Sequence, residues 1–306
     1  MNNNPLLCTT KGHTSPSISK YIKQKERLVV SMITVFGDES HDGQKQLVFA
    51  VAGVGTWEED WKAFEPIWLS RENGRLFHSS DCEADKEDFS ITSHEENLAL
   101  YKDMVDLVVN SNIVGQAAVM DLATYKEFFP DVVDNLEYQF CFSYVMQYFF
   151  DISRESQQEI EFVFDRTTEN DYAAGLLYSY MSELPEEKQT RDSINALRFD
   201  KRSKYVGLRV ADLIAREAMK HALNVELGSK PPRKSMLALL ETNRFYFQWF
   251  GRKYFQWWID NMDDYIKKSK ITEAEYEQWL NEMKLDDNAS ARNRFMIYSL
   301  KKERGQ

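Results

Sequence analysis

The run Ser31-Met32-Ile33-Thr34-Val35-Phe36 is mostly apolar and β-favouring, and after Gly37 it is followed at once by Asp38-Glu39-Ser40. Strands commonly end in turns of Asp, Ser and Gly, so one acid at such a place needs no function. Two later segments repeat the theme. Ile160 to Phe164 is a second apolar strand that closes on Asp165, and Val206 to Glu217 reads as a helix with Asp212 set among Val210, Ala211, Leu213 and Ile214. A fold that delivers acids from a strand, a strand and a late helix can gather them at one end of a sheet. Mg²⁺ and Mn²⁺ take hard oxygen ligands, and such ligands must converge from rigid elements.

The 306 residues are enough for one substantial domain with additions or two small ones. A hydrophobic share of 43% with 28% charged residues is that of a globular chain. The net charge of −11, from 49 acids against 38 Lys and Arg, argues against a protein that coats nucleic acid through bulk positive charge. It leaves room for a local basic groove. Cys8, Cys82 and Cys141 form no CxxC pair and so suggest neither a disulfide framework nor a zinc cage. The histidines at 13, 41, 78, 94 and 221 lack paired metal-ligand spacing. No stretch reaches the roughly 18 apolar residues of a membrane span, and no signal-peptide core is visible, so the expectation is a soluble cytoplasmic protein without a membrane partner.

Residues 1–30 read as a polar, flexible arm with a basic end. The first strand is expected at Ser31 to Phe36 and the second at Gln46 to Gly55, joined by a hairpin turn at His41-Asp42-Gly43-Gln44. Trp61, Phe64, Ile67 and Trp68 lie at helix spacing within Trp57 to Glu72. A polar loop, Phe77 to Asp81, precedes a helix opened by the capping box Ser93-His94-Glu95-Glu96. A strand at Ile113 to Met120, a helical stretch from Leu122 to Arg154 broken near Pro130, and the strand ending at Asp165 follow. Then come a helix over Asp171 to Leu184, a fifth strand at Ile194 to Phe199 and the Asp212 helix. This order predicts an α/β domain over 31–227: a mixed five-stranded sheet flanked by helices. Gly228 to Arg233, with Pro231-Pro232, reads as a linker, and 228–306 as an all-helical C-terminal extension.

Each acid has an ordinary alternative. Asp165 could join Thr167, Thr168 and Asn170 in capping the next helix, and Asp212 could pair with Arg209 or Arg216 on its own helix. Asp38 is the natural bridging ligand. If the strand continues past it, Glu39 points to the opposite face; if the strand has ended, both acids reach the site. Two cations about 4 Å apart held by such carboxylates can activate a water and stabilise the leaving oxygen in phosphodiester cleavage.

The Asp-Glu-Ser strand end, the Phe-Val-Phe-Asp strand end and the Gly-Leu-Arg-Val-Ala-Asp-Leu-Ile-Ala helix together resemble the bacterial family catalogued as domain of unknown function 3800, over about residues 31–225. The resemblance implies a ribonuclease-H-like core, and it maps the family's acidic positions onto Asp38, Glu39, Asp165 and Asp212. His41 stands where the family prefers Gly, and Arg209 where it prefers Gln. Arg166 follows Asp165 where an acid is common, so Glu169 is the substitute candidate. His78, beside Asp81, falls where the family often has a His-containing segment; it is either a solvated loop residue or a group that orients water or shuttles protons.

Lys201, Arg202, Lys204 and Arg209 concentrate positive charge near the third acid, either as a solvated loop or as a phosphate-binding cluster. Residues 244–258 hold nine aromatic side chains. They are core, a surface that stacks bases, or a contact with another chain. Read as a helix, the segment carries more aromatics than one face can bury, which suggests a homo-oligomer or a partner protein. The leading expectation is a nuclease or phosphodiesterase dependent on Mg²⁺ or Mn²⁺ and acting on DNA or RNA. In it Asp38, Asp165 and Asp212 hold the metal, while Glu39 or Glu169 completes the shell. The rival expectation is a non-catalytic binding or adaptor subunit of a bacterial defence or mobile-element system, by fold-level analogy.

Overall fold

The computed structural model describes residues 32–128, 136–166, 194–257 and 260. The expected arm, Glu169, the helix at Asp171 to Leu184, Trp258 and the tail beyond 260 lie outside the described residues. Along the chain run β1 (Ile33–His41), β2 (Val48–Trp57), α1 (Glu58–Glu72), α2 (Ser79–Ala84), α3 (His94–Val109), β3 (Val114–Asp121), α4 (Leu122–Phe128) and α5 (Leu136–Ser156). They are followed by β4 (Ile160–Asp165), β5 (Ile194–Asp200), α6 (Val206–His221), α7 (Lys234–Glu241) and β6 (Phe245–Phe250). A single π-turn, Ala222–Glu226, continues α6.

The strands form one mixed sheet of six, in the order β5-β4-β1-β2-β3-β6. β2 runs antiparallel to both β1 and β3, and every other pairing is parallel. Side chains alternate between the two faces, as strand geometry requires. Ile33 and Val35 of β1, with Phe49 and Val51 of β2, pack under Phe142, Val145 and Phe149 of α5. Phe36, Ala50, Ala52 and Val54 face the other way, into a core shared with α1, α3, α6 and α7. Ser93 and Glu96 form the expected capping box at the start of α3.

Several expectations are corrected. β1 does not stop at Phe36: it stays paired with β2 through His41, opposite Phe49. The turn after it is longer than His41-Asp42-Gly43-Gln44. Asp42 closes it by accepting the backbone N–H groups of Gln46, Leu47 and Val48. The segment from Phe77 to Asp81 is no solvated loop, since Ser79 opens α2 and is fully buried.

The largest difference is β6. Residues 245–250 were expected to be helical, yet they pair in parallel with β3 from Gly115↔Phe245 to Met120↔Phe250. The reason lies in the period. Phe245, Phe247 and Trp249 join the α6 side of the sheet, and Tyr246 and Phe250 join the α5 side. A strand covered on both faces takes aromatics at every position, which a one-sided helix cannot. The aromatics of residues 245–250 are thereby placed within this sheet. Since β6 completes the same sheet, residues 234–257 belong to the sheet domain and not to a separate helical extension.

Two glycines set the spacing around β1. Phe164 of β4 lies across Gly37, where a Cβ would meet its ring at 2.1 Å. Gly207, in the first turn of α6, lets the helix press onto Phe36, whose Cδ2 would stand 2.0 Å from a Cβ. Phe36 cannot yield freely, because Trp61 meets it edge-on at 5.1 Å. Gly to Ala inside a helix ordinarily stabilises by about 0.5–1 kcal/mol. Gly207→Ala is expected instead to destabilise the protein by about 1–3 kcal/mol through overpacking. Urea unfolding checks this, and a midpoint at or above the wild-type value would contradict it.

Candidate functional site

The last register pair between β1 and β4 is Gly37↔Phe164, so Asp38 and Asp165 are the next residues on adjacent parallel strands. Strand neighbours lie roughly 4.8 Å apart. Period-two alternation puts Asp38 on the same face as Phe36, the face that α6 covers. Asp212 is two turns into α6, buried against that face. Glu39 is on the opposite face, so the continuation of the strand separates the two neighbouring acids.

Asp212 is not paired with Arg209 or Arg216. Both the backbone N–H and the hydroxyl of Ser79 donate to its Oδ2 at 2.7 Å. Its Oδ1 lies 3.7 Å from His78 Nε2. His78 is held in turn by Asp81, whose Oδ2 is 2.5 Å from Nδ1. The expected neighbours of Asp212 are engaged elsewhere. Arg209 Nε lies 2.7 Å from Glu72 Oε1 in a fully enclosed pair, and Arg216 Nε donates to Glu83 at 2.8 Å. Arg209 therefore does not serve as a surface phosphate contact: the residue is only 3% exposed, and its guanidinium is spent inside the fold.

Arg202 takes the central position. Its backbone N–H donates to Asp165 Oδ1 at 3.0 Å and its guanidinium to Asp165 Oδ2 at 3.3 Å. Burial disfavours its charge, but Asp38, Asp212 and Asp165 outweigh that and hold the guanidinium more firmly protonated than usual. Arg202 thus hydrogen-bonds one of the three carboxylates and is attracted electrostatically by all three. Asp38 is the least satisfied of them. Its Oδ1 accepts from the Glu39 N–H at 2.7 Å, and its buried Oδ2 has no hydrogen-bond partner. Burial first, and then the charges of Asp212 and Asp165, push the Asp38 carboxyl well above its ordinary range, against the opposing pull of Arg202.

Lys201 and Lys204 are exposed beside this cluster, on the loop between β5 and α6. Lys204 Nζ contacts Asp200 at 2.8 Å. Ser79 is the site residue that sequence reasoning missed. Its only signal was a small polar side chain after His78, and its partner lies 133 residues away. Among the described residues, no group of three or more His, Cys, Asp or Glu side chains is gathered as a ready-made metal cage. The donor chemistry nevertheless suits a hard cation. Mg²⁺ is commonly held by one or two carboxylates, with water and substrate phosphate completing its shell, and Asp38 offers a buried oxygen that nothing else uses.

No family model matches the chain, and no curated protein matches it. Among the described residues, no helix is long and apolar enough to cross a membrane.

The raised pKa of Asp38 has a consequence for stability. A carboxyl that binds its proton more tightly in the folded state favours folding at low pH, and that contribution is lost as pH rises through the folded pKa. Ionised Asp38 therefore costs stability at neutral pH. Asp38→Asn should raise the unfolding temperature at pH 7–8 in chelator, and the advantage should fade as pH falls through the ordinary carboxylate range towards about 3, where the wild-type group is protonated in both the folded and the unfolded state. Thermal unfolding across this range is the measurement, and a variant less stable at pH 8 than at pH 4, relative to wild type, would reverse the sign.

Proposed function

We propose that the protein is a divalent-metal-dependent nuclease or phosphodiesterase with a ribonuclease-H-like core. The observation that carries this reading is that Asp38 and Asp165 end neighbouring parallel strands under the helix that carries Asp212, with Asp38 Oδ2 buried and unbonded. Natural proteins rarely leave a buried carboxylate oxygen unpaired without a functional return. The sheet order supports the fold assignment: an antiparallel run β1-β2-β3, with β4 and β5 added in parallel beyond β1. The resemblance to domain of unknown function 3800 points the same way.

Asp38 and Asp212 are the residues that would hold Mg²⁺ or Mn²⁺, with Asp165 available once Arg202 releases it. What the cation supplies when bound is Lewis-acid stabilisation of developing charge and a more acidic water. The chain's own residues do the rest. Ser79 occupies one oxygen of Asp212, and the other lies 3.7 Å from His78 Nε2. His78, oriented by Asp81, can carry a proton at Nε2 beside that oxygen. Lys201 and Lys204 line the approach and would attract a phosphate backbone despite the acidic net charge. DNA and RNA are both compatible with this chemistry.

A second reading has one observation in its favour. Arg202 already neutralises part of the cluster, as it would in a non-catalytic binding or adaptor protein that keeps the fold. Incubation of the purified protein with labelled DNA and RNA separates the two. Cleavage is expected with Mn²⁺ or Mg²⁺, none with chelator, and none in Asp38→Asn or Asp212→Asn, whose circular dichroism should be unchanged. Replacing Lys201 and Lys204 with Gln should lower the salt slope of binding by about one for each phosphate that is no longer neutralised. Absence of cleavage in every metal, together with absence of cation binding, would leave the adaptor reading standing.

A further inference from the structure

We infer that Arg202 is a built-in counter-cation of the carboxylate cluster, and that it and a divalent ion are alternative occupants: the site opens to metal when the guanidinium swings away. This inference rests on the reading of the cluster as a metal site.

The backbone and the side chain of Arg202 are held differently. Its carbonyl accepts from Arg209 Nη1 at 2.8 Å, and its N–H is bound to Asp165. Arg209 is itself locked to Glu72 inside the fold. The Cα of Arg202 is thus fixed by two anchors. The guanidinium has one weaker tie, the 3.3 Å contact with Asp165, and 29% of the side chain is open to solvent. A long side chain on a fixed backbone, with an exposed route, can leave without disturbing the sheet. The loop that carries it is polar and exposed at Lys201, Ser203 and Lys204.

Charge explains why either cation is attracted to the cluster. The three acids can carry up to three negative charges, of which the one arginine offsets one and a divalent ion would offset two. The guanidinium is planar and its hydrogen bond goes to Asp165, leaving Asp38 Oδ2 without one. A compact divalent ion offsets more of that charge than the arginine does and can reach the oxygen that the arginine does not satisfy. Both cations cannot stay among the same oxygens, because their repulsion at about 4 Å is large in a partly buried site. A guanidinium expelled from the cluster would remain tethered beside it and could contact a substrate phosphate, for which its fork is suited.

The test is Mn²⁺ binding by isothermal titration calorimetry and by electron paramagnetic resonance, on wild type, Arg202→Gln and Arg202→Lys. Thermal unfolding is recorded in chelator and in Mn²⁺. Arg202→Gln should bind Mn²⁺ about tenfold or more tightly than wild type, since the competing charge is gone. It should be less stable than wild type in chelator and gain more from Mn²⁺. Arg202→Lys keeps the charge and should lie close to wild type in affinity, which shows that the variants fold. Wild-type binding with equal or weaker affinity in Arg202→Gln would overturn the inference and leave the metal site intact. No Mn²⁺ binding by any of the three would overturn the metal site and this inference together.

Discussion

The contact on which the arrangement depends is the approach of α6 to β1. Gly207 removes the side chain that would otherwise hold the helix off Phe36, and the rest of α6 then falls within reach of several separate elements. Its charged residues meet them one by one. Arg209 pairs with Glu72 at the end of α1, Asp212 takes Ser79 at the start of α2, and Arg216 takes Glu83 at the end of α2. Glu217, fully buried, accepts from Tyr101 of α3, from Arg233 and from Ser235. A helix buried to this degree would be expected to carry apolar residues throughout. Instead its ionic groups are each matched to a partner on another part of the fold. Such matching fixes helix rotation, because a buried charge deprived of its partner costs about 3–5 kcal/mol.

This explains why Asp212 is held so firmly and Asp38 so poorly. Arg209 and Arg216, the helix neighbours that could have neutralised Asp212, are committed to glutamates, so Asp212 is left to the sheet side and to Ser79. Asp38, delivered by the strand, meets Asp212 and Asp165 with only Arg202 to compensate. The cluster is a place where acidic groups are concentrated at a cost to the fold. The neighbouring Glu217 network is the contrast: there both carboxylate oxygens are satisfied, and the group is a structural clamp between α6, α3 and the start of α7.

Much of this was legible in the residues. The strands and helices follow period and capping signals, and Asp38, Asp165 and Asp212 stood out because each sits at the end of an apolar strand or within an apolar helix. The failures share a cause. Residues 245–250 read as helical from the sequence, and only the open edge of β3, with neighbours on both faces, selects the strand. Arg209 looked like a surface cation because nothing near it in sequence reveals Glu72, 137 residues away. Ser79 read as part of a polar loop for the same reason.

The sequence by itself determined the mixed α/β character, through the alternation of strand and helix periods, and it determined which carboxylates were available to a site. These are local properties, set by propensity and by spacing along the chain. Tertiary structure decided which group meets which partner: Arg202 with Asp165, Arg209 with Glu72, Ser79 with Asp212. It also separated Glu39 from Asp38 by continuing the strand between them. Pairing of buried charge depends on distances between segments far apart in the chain, and those distances exist only after the sheet and its covering helices have packed.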